Sequence, residues 1–329
     1  MIPYNSSTIP FVCKSDEYDA FWEISKYVFT VFYEGIGLIL HILIIKTILI
    51  TERQYYRKSS FFQIFVADSI ASSVLILNSL LFGRLFMYVT PLCSIVGPYF
   101  WNPSILLKFL YVNTNHARFA KSLTQIFMVL NRLSCVLMPT RYDQMWRKLT
   151  PIVWILLIIL PFGGTWNCII SRVYTVEYRG GFTMNYIKAV DWAALSMFQS
   201  IFILTALFFT VVCTIITVYK LILLQGRVKS IERSLCISSI FISSTFFLVG
   251  ATQLAYAFCS ICLTQTYFSL YNLQLLAFDI FTIGSGVLMI VTDTKLRMSI
   301  FPCDFNLRRK KVSSPSRNRV KNGNSVSLY

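Results

Sequence analysis

Histidine is scarce in this 329-residue chain: only His41 and His116 occur, and neither lies within motif distance of a buried acid pair. Metal-dependent and histidine-based acid–base catalysis therefore lack their usual side chains. The nine cysteines show no zinc spacing, because Cys259 and Cys262 form a lone CxxC pair without two further ligands nearby. The last apolar stretch, residues 268–291, contains no lysine, which excludes a retinal Schiff base there. The sequence thus predicts no enzyme, no cofactor and no metal.

Charge is also sparse. Only 13% of the residues are charged and 56% are hydrophobic, and the mean hydropathy is +0.63. A soluble domain of this composition would leave too much apolar surface in water, whereas a bilayer solvates such a surface. Seven apolar stretches are long enough to cross the roughly 30 Å hydrocarbon layer as helices, and they lack the alternation of membrane β-strands. The predicted spans are Tyr27–Ile50, Phe61–Phe82, His116–Met138, Ile152–Ile170, Trp192–Tyr219, Leu235–Phe258 and Phe268–Val291. The predicted fold is an all-α bundle of seven transmembrane helices.

Lysine and arginine in the loops predict the orientation. Loops 51–58, 140–148 and 220–233 carry ten of these residues and the tail from Lys295 carries nine. The remaining loops and the N-terminal segment share only seven, so the N-terminus is predicted outside and the C-terminus in the cytoplasm. The net charge of +16 therefore reflects topology, and no soluble basic module indicates nucleic-acid binding. The predicted division is an extracellular segment (1–26), the seven-helix domain (27–292) and a basic, disordered cytoplasmic tail (293–329).

The predicted outer side has two candidate modification sites. Asn5 begins a glycosylation sequon, Asn5-Ser6-Ser7. Cys13 and Cys93 both face the oxidising side, where a disulfide or two free, half-buried thiols are compatible with the sequence. No basic region or cleavage site precedes the first apolar stretch, so this stretch is expected to act as an uncleaved signal anchor.

The third span carries an unusual polar stripe. Arg118, Lys121, Gln125 and Arg132 lie within an arc of about 60° when placed at 100° per residue. Charge facing lipid is costly, so this face is predicted to point into the bundle. Gln199, Gln253 and Tyr256 are further candidates for a binding pocket, because a mostly apolar cavity needs only a few polar anchors.

Two acidic residues lie inside spans and require partners. Asp68 in span two resembles the buried span-two aspartate of rhodopsin-like receptors, and this resemblance implies that it joins a polar network. Asp279 in span seven lies near the predicted depth of Arg118 and Lys121. These two bases either bind an anionic group of a ligand or pair with Asp279 as a structural ion pair, and the matching depth favours the pair.

The end of span three carries the most specific motif. Residues 131–139 read NRLSCVLMP, and Tyr142 and Trp146 follow. Phe61-Phe62 with Asp68, and Phe278-Asp279 with Asp293, accompany it. Over residues 25–303 this pattern resembles the nematode serpentine chemoreceptors, above all serpentine receptor class gamma, and sibling classes share much of it.

The resemblance implies a G-protein-coupled chemosensory receptor of the plasma membrane, often in sensory cilia, that binds a small molecule. It implies G-protein contacts at Arg132, Tyr142, Trp146 and Arg227. Rhodopsin-like receptors have an acidic residue and an aromatic residue on either side of this arginine, where this chain has Asn131 and Leu133. The second outer loop, 171–191, also lacks the cysteine that such receptors usually pair with span three.

The alternative function is a transporter or channel. Secondary transporters usually contain internal repeats and paired broken helices. No repeat relates the two halves of this chain, and seven spans divide poorly into two. A receptor is therefore the favoured prediction.

Overall fold

The computed structural model describes Cys13 and residues 18–100, 102, 104–178, 181–223, 230–258 and 267–301. Asn5, Arg227 and residues 302–329 of the basic tail lie outside the described residues, as does the side chain of Tyr256.

Seven helices of 19 or more residues dominate the described chain. The helices are α1 (Ala20–Lys46), α2 (Arg53–Tyr56), α3 (Ser60–Asn78), α4 (Leu85–Tyr88), α5 (Pro91–Phe100), α6 (Ile105–Leu137), α7 (Tyr142–Ile170), α8 (Leu195–Leu223), α9 (Ser230–Phe258), α10 (Tyr267–Thr292) and α11 (Thr294–Ile300). The π-helical segments Thr47–Thr51 and Ser79–Arg84 extend α1 and α3. Helix α1 packs against α3 and α10, while α6 packs against α3, α7 and α8, and α9 contacts both α8 and α10.

The membrane character follows from length and composition. Within the described residues, five helical segments are long and apolar enough to cross a membrane: Ala20–Thr51, Ser60–Tyr88, Tyr142–Ile170, Leu195–Lys220 and Tyr271–Thr292. Helix α6 is less apolar because it carries Lys108, Arg118, Lys121 and Arg132. The predicted all-helical membrane fold is confirmed.

Several predicted span boundaries were wrong. The second span does not end at Phe82, because the helical path continues through Ser79–Arg84 to Tyr88. The third helix begins at Ile105, where the Ser104 hydroxyl accepts a hydrogen bond from the Leu107 amide. Polar residues lower the hydropathy of these extensions without breaking the helices, so hydropathy alone placed the boundaries too far inward.

A β-hairpin that the sequence patterns did not predict follows α7. Strands β1 (Arg172–Tyr178) and β2 (Gly181–Ile187) pair antiparallel. Phe182 stacks on Phe86 of α4, with 4.7 Å between ring centroids. Cys93 is buried against the same rings and forms a disulfide with Cys13. We call this side of the bundle the hairpin end.

Gly181 should be the least replaceable residue of the hairpin. A Cβ atom there would collide with the Phe86 carbonyl oxygen and lie 2.7 Å from that of Met87. Because backbone atoms cannot rotate away, Gly181→Ala should destabilise the protein by about 1–3 kcal/mol, measured by thermal unfolding in detergent. Gly163→Ala is the matched control, because a Cβ there meets nothing within 4 Å, and alanine favours a helix by about 0.5–1 kcal/mol. Equal melting temperatures for the two variants would contradict the close approach.

Candidate functional site

A cavity of about 500 Å³ opens within the helices at the hairpin end. Its volume lies in the range of small-molecule sites, roughly 300–1,000 Å³. Side chains from α1, α3, α6, α8, α9, α10 and both strands contribute to the wall. The sequence-predicted residues Arg118, Gln199 and Gln253 lie together on this wall, whereas Lys121 and Gln125 lie outside the described lining. Of the three ligand-contact candidates on α6, only Arg118 therefore lies in the described cavity lining.

Asp279, one of two acidic residues in the described lining, binds a base that the sequence analysis had not considered as its partner. Both oxygens of Asp279 accept hydrogen bonds from Nη2 of Arg84 at 2.6 Å. Nη1 of Arg84 lies 3.3 Å from Oε1 of Glu34 and donates to the Tyr33 hydroxyl at 2.7 Å. We call Arg84, Glu34, Asp279 and Tyr33 the outer cluster. The predicted pairing of Asp279 with Arg118 or Lys121 was therefore wrong.

The error has a local cause. Arg84 was counted among the outer-loop bases because span two was predicted to end at Phe82. The apolar run Leu85–Tyr88 beyond Arg84 was the available signal that the span continues. In the structure the π-helical segment carries Arg84 into the bundle, where only 4% of the residue remains exposed.

Lys121 belongs to a second ionic group, deeper along α6. Its ammonium donates to both oxygens of Asp68 at 2.9 and 3.0 Å and to the Ser72 hydroxyl at 2.7 Å. The hydroxyls of Thr124 and Ser285 donate to the same carboxylate at 2.9 and 3.0 Å. These five residues form the central cluster, which joins α3, α6 and α10. Asp68 therefore lies among buried polar side chains of three helices.

The polar stripe of α6 faces the bundle interior. Lys121 and Gln125 are each 1% exposed and Arg132 is 4% exposed, while the Arg118 side chain reaches the cavity. Gln125 approaches the Ser243 hydroxyl of α9 at 3.4 Å. The inward register predicted from the 60° arc is thus confirmed.

Amide side chains contribute uncharged polar groups to the wall. Gln199 donates to Oδ1 of Asn115 at 2.9 Å, and Gln274 donates to Oε1 of Gln253 at 2.6 Å. Asn115 and Gln274 were missed by the sequence analysis, although Asn115 lies one helical turn before Arg118. From the hairpin, the Tyr186 hydroxyl accepts a hydrogen bond from the Leu195 amide at 2.6 Å. Burial raises the pKa of Tyr186, so its hydroxyl remains protonated.

The opposite end of α6 holds the predicted signalling motif. Asn131 donates to the Ser60 hydroxyl at 2.8 Å and accepts from the Tyr142 hydroxyl at 2.9 Å. Trp146 is only 4% exposed, and its ring nitrogen donates to Ser134 at 2.6 Å. The guanidinium carbon of Arg132 lies 3.5 Å from the centroid of the Phe61 ring. In this arrangement the side chains of Arg132 and Trp146 are covered by the protein itself.

Comparisons with a family model and with individual relatives point to the same family. Residues 27–300 match the family model described as Srg family chemoreceptor. Serpentine receptor class gamma-17 of Caenorhabditis elegans is 54% identical over 284 residues, which cover 86% of this chain and 88% of the relative. Class gamma-15 of the same organism is 49% identical over 294 residues, covering 89% and 91%. Class gamma-16 is 44% identical over 312 residues, covering 95% of each chain.

Proposed function

This chain belongs to the Srg family of chemoreceptors, and on that premise we propose that it is a G-protein-coupled receptor for a small molecule. The cavity at the hairpin end supports this proposal most directly, because it combines a suitable volume with a few polar anchors among apolar groups. Arg118, Gln199 and Gln253 are the proposed ligand contacts, together with Tyr256. Lys121 and Gln125 are proposed to support these contacts from outside the described lining. The hairpin end is proposed to face the outside of a sensory cell, with the receptor in the plasma membrane or cilium.

The proposed signal passes along α6. Arg118 in the cavity, Lys121 in the central cluster and Arg132 at the far end are on one inward face of this helix. A ligand shifts the population of states only if it binds one state more tightly than the other. In the active state Arg132, Tyr142, Trp146 and Arg227 contact a heterotrimeric G protein. The covered positions of Arg132 and Trp146 are those of the resting state.

The direct test uses cells that express the full-length chain and a reporter of G-protein dissociation. Small-molecule fractions should evoke a response that is absent from untransfected cells. Arg132→Ala should retain ligand-induced thermal stabilisation of the purified protein but lose the response. Solute flux through vesicles containing the purified protein, without G-protein activation by any fraction, would contradict the proposal and favour a transporter.

Removing the aromatic ring beneath Arg132 should raise basal signalling. Phe61→Leu retains an apolar side chain but removes the cation–π contact, which contributes about 1 kcal/mol. That change corresponds to a roughly fivefold shift in population toward the signalling state. The measurement is ligand-independent G-protein activation, normalised to receptor at the cell surface.

Phe65→Leu is the control for this prediction. Phe65 is on the same helix, is 0% exposed like Phe61 and stacks on it with 6.4 Å between centroids. Phe65→Leu removes a similar amount of packing but leaves in place the Phe61 ring that contacts Arg132. Equal basal activity in the two variants would show that the ring does not restrain Arg132.

A further inference from the structure

Arg118 is placed unlike Arg84 and Lys121, the two ion-paired bases nearest to it inside the bundle. Arg84 and Lys121 each bind buried carboxylates. In the described part of the chain, no carboxylate oxygen lies within 4.0 Å of the Arg118 guanidinium, and this group donates no hydrogen bond. Its described contact is the Phe278 ring, whose centroid lies 5.2 Å from Cζ. A guanidinium in such surroundings favours an anionic partner, because an isolated buried charge is costly.

The nearby acids are already engaged. Asp279 and Glu34 both bind Arg84, and Asp68 binds Lys121. Among the described lining residues, the cations are Arg84, Arg118 and Lys188, and the acids are Glu34 and Asp279. With these groups ionised, the described lining carries one net positive charge.

The remaining polar groups of the wall are uncharged. Asn115 and Gln199 form one bonded amide pair, and Gln253 and Gln274 form another. Such groups hydrogen-bond to neutral polar atoms of a ligand but do not neutralise a guanidinium. The charge that is missing from the cavity must therefore come from the molecule that fills it.

We infer that the cavity binds a small organic anion whose carboxylate or phosphate oxygens contact Arg118. This inference rests on the proposed function and specifies the class of ligand. The planar guanidinium offers two parallel N–H donors, which match the paired oxygens of either group. The rest of the ligand lies toward the amide pairs and the hairpin.

The test compares acids with neutral analogues in thermal unfolding of the purified full-length receptor in detergent. The probes are octanoate against octanamide, hippurate against its methyl ester, and phenyl phosphate against phenol. At least one acid should raise the melting temperature by about 2–4 °C more than its neutral analogue. A shift confined to phenyl phosphate assigns the site to phosphate monoesters, and a shift confined to the other acids assigns it to carboxylates.

Arg118→Gln should lose this difference between acid and neutral probe, whereas Arg118→Lys should keep part of it. Lys108→Gln is the matched control: it removes one positive charge from the same helix at a position that donates to the Ile169 carbonyl outside the described cavity lining. It should respond like the unaltered receptor. The inference is overturned if no acid stabilises the protein, if neutral analogues stabilise it equally, or if Arg118→Gln keeps the full difference. Because this assay measures binding and not signalling, loss of the acid-specific shift overturns this inference alone, whereas the absence of G-protein activation by any small-molecule fraction contradicts the proposed function alone.

Discussion

Arg84→Met should lower the free energy of unfolding by roughly 3–5 kcal/mol. It should therefore be among the most destabilising single substitutions in the chain. The outer cluster contains one base and two acids, and methionine preserves much of the side-chain length while leaving Glu34 and Asp279 without a cation. Two nearby carboxylates, only 2% and 9% exposed, repel each other and cannot both remain ionised at low cost. The measurements are thermal unfolding in detergent and the amount of receptor at the cell surface.

Because Arg84 has two acidic partners, removing the charge of Asp279 should destabilise the protein less than removing that of Arg84. Asp279→Asn leaves Arg84 beside Glu34, so a neutral ion pair remains and the expected loss is only about 1–3 kcal/mol. Lys26→Met is the control for removal of a cation, because the Lys26–Glu23 pair is largely exposed at the lysine and contributes about 0–1 kcal/mol. If Asp279→Asn were as damaging as Arg84→Met, Glu34 would not share the arginine.

Lys121→Met should lower the free energy of unfolding by a similar amount, about 3–5 kcal/mol, because it disrupts a different buried ion pair. The Asp68 carboxylate is 1% exposed, and without the ammonium its remaining donors among the described residues are the hydroxyls of Thr124 and Ser285. Two hydroxyl groups do not balance a buried negative charge. Thermal unfolding and surface expression report this loss.

A second substitution provides the control for the central cluster. Asp68→Asn added to Lys121→Met removes the stranded charge, so the double variant should be more stable than Lys121→Met alone. The double variant should lose less stability than the sum of the losses of the two single variants. Strict additivity would mean that the two side chains do not act as a pair.

The general architecture could be predicted because it depends on features that repeat along the chain. Long apolar stretches require helices in a bilayer, and the spacing of Arg118, Lys121, Gln125 and Arg132 determined which face of α6 points inward. Both inferences need only one helix at a time. They were accordingly correct without any knowledge of which helices are neighbours.

The partners of the buried charges could not be assigned in that way. Placing Asp279 beside Arg118 or Lys121 relied on depth alone, whereas the actual partner depended on a π-helical segment that carries Arg84 inward. The pairing of Lys121 with Asp68 likewise depends on the packing of α3 against α6. The hairpin was missed because its strands are short and lie between two long helices, where a hydropathy profile shows only a loop.

The hairpin contributes Val176, Tyr178, Thr183, Met184, Asn185 and Tyr186 to the cavity wall, yet none of these residues belongs to the outer or central cluster. The outer cluster lines the same cavity through Glu34, Arg84 and Asp279, whereas the residues of the central cluster lie outside the described lining. If the cavity binds the ligand as proposed, substitutions on the cavity side of the two strands should change ligand selectivity while the buried ion pairs remain in place. Chimeric receptors in which this segment is exchanged between paralogues should therefore differ in ligand selectivity and keep the same helix bundle.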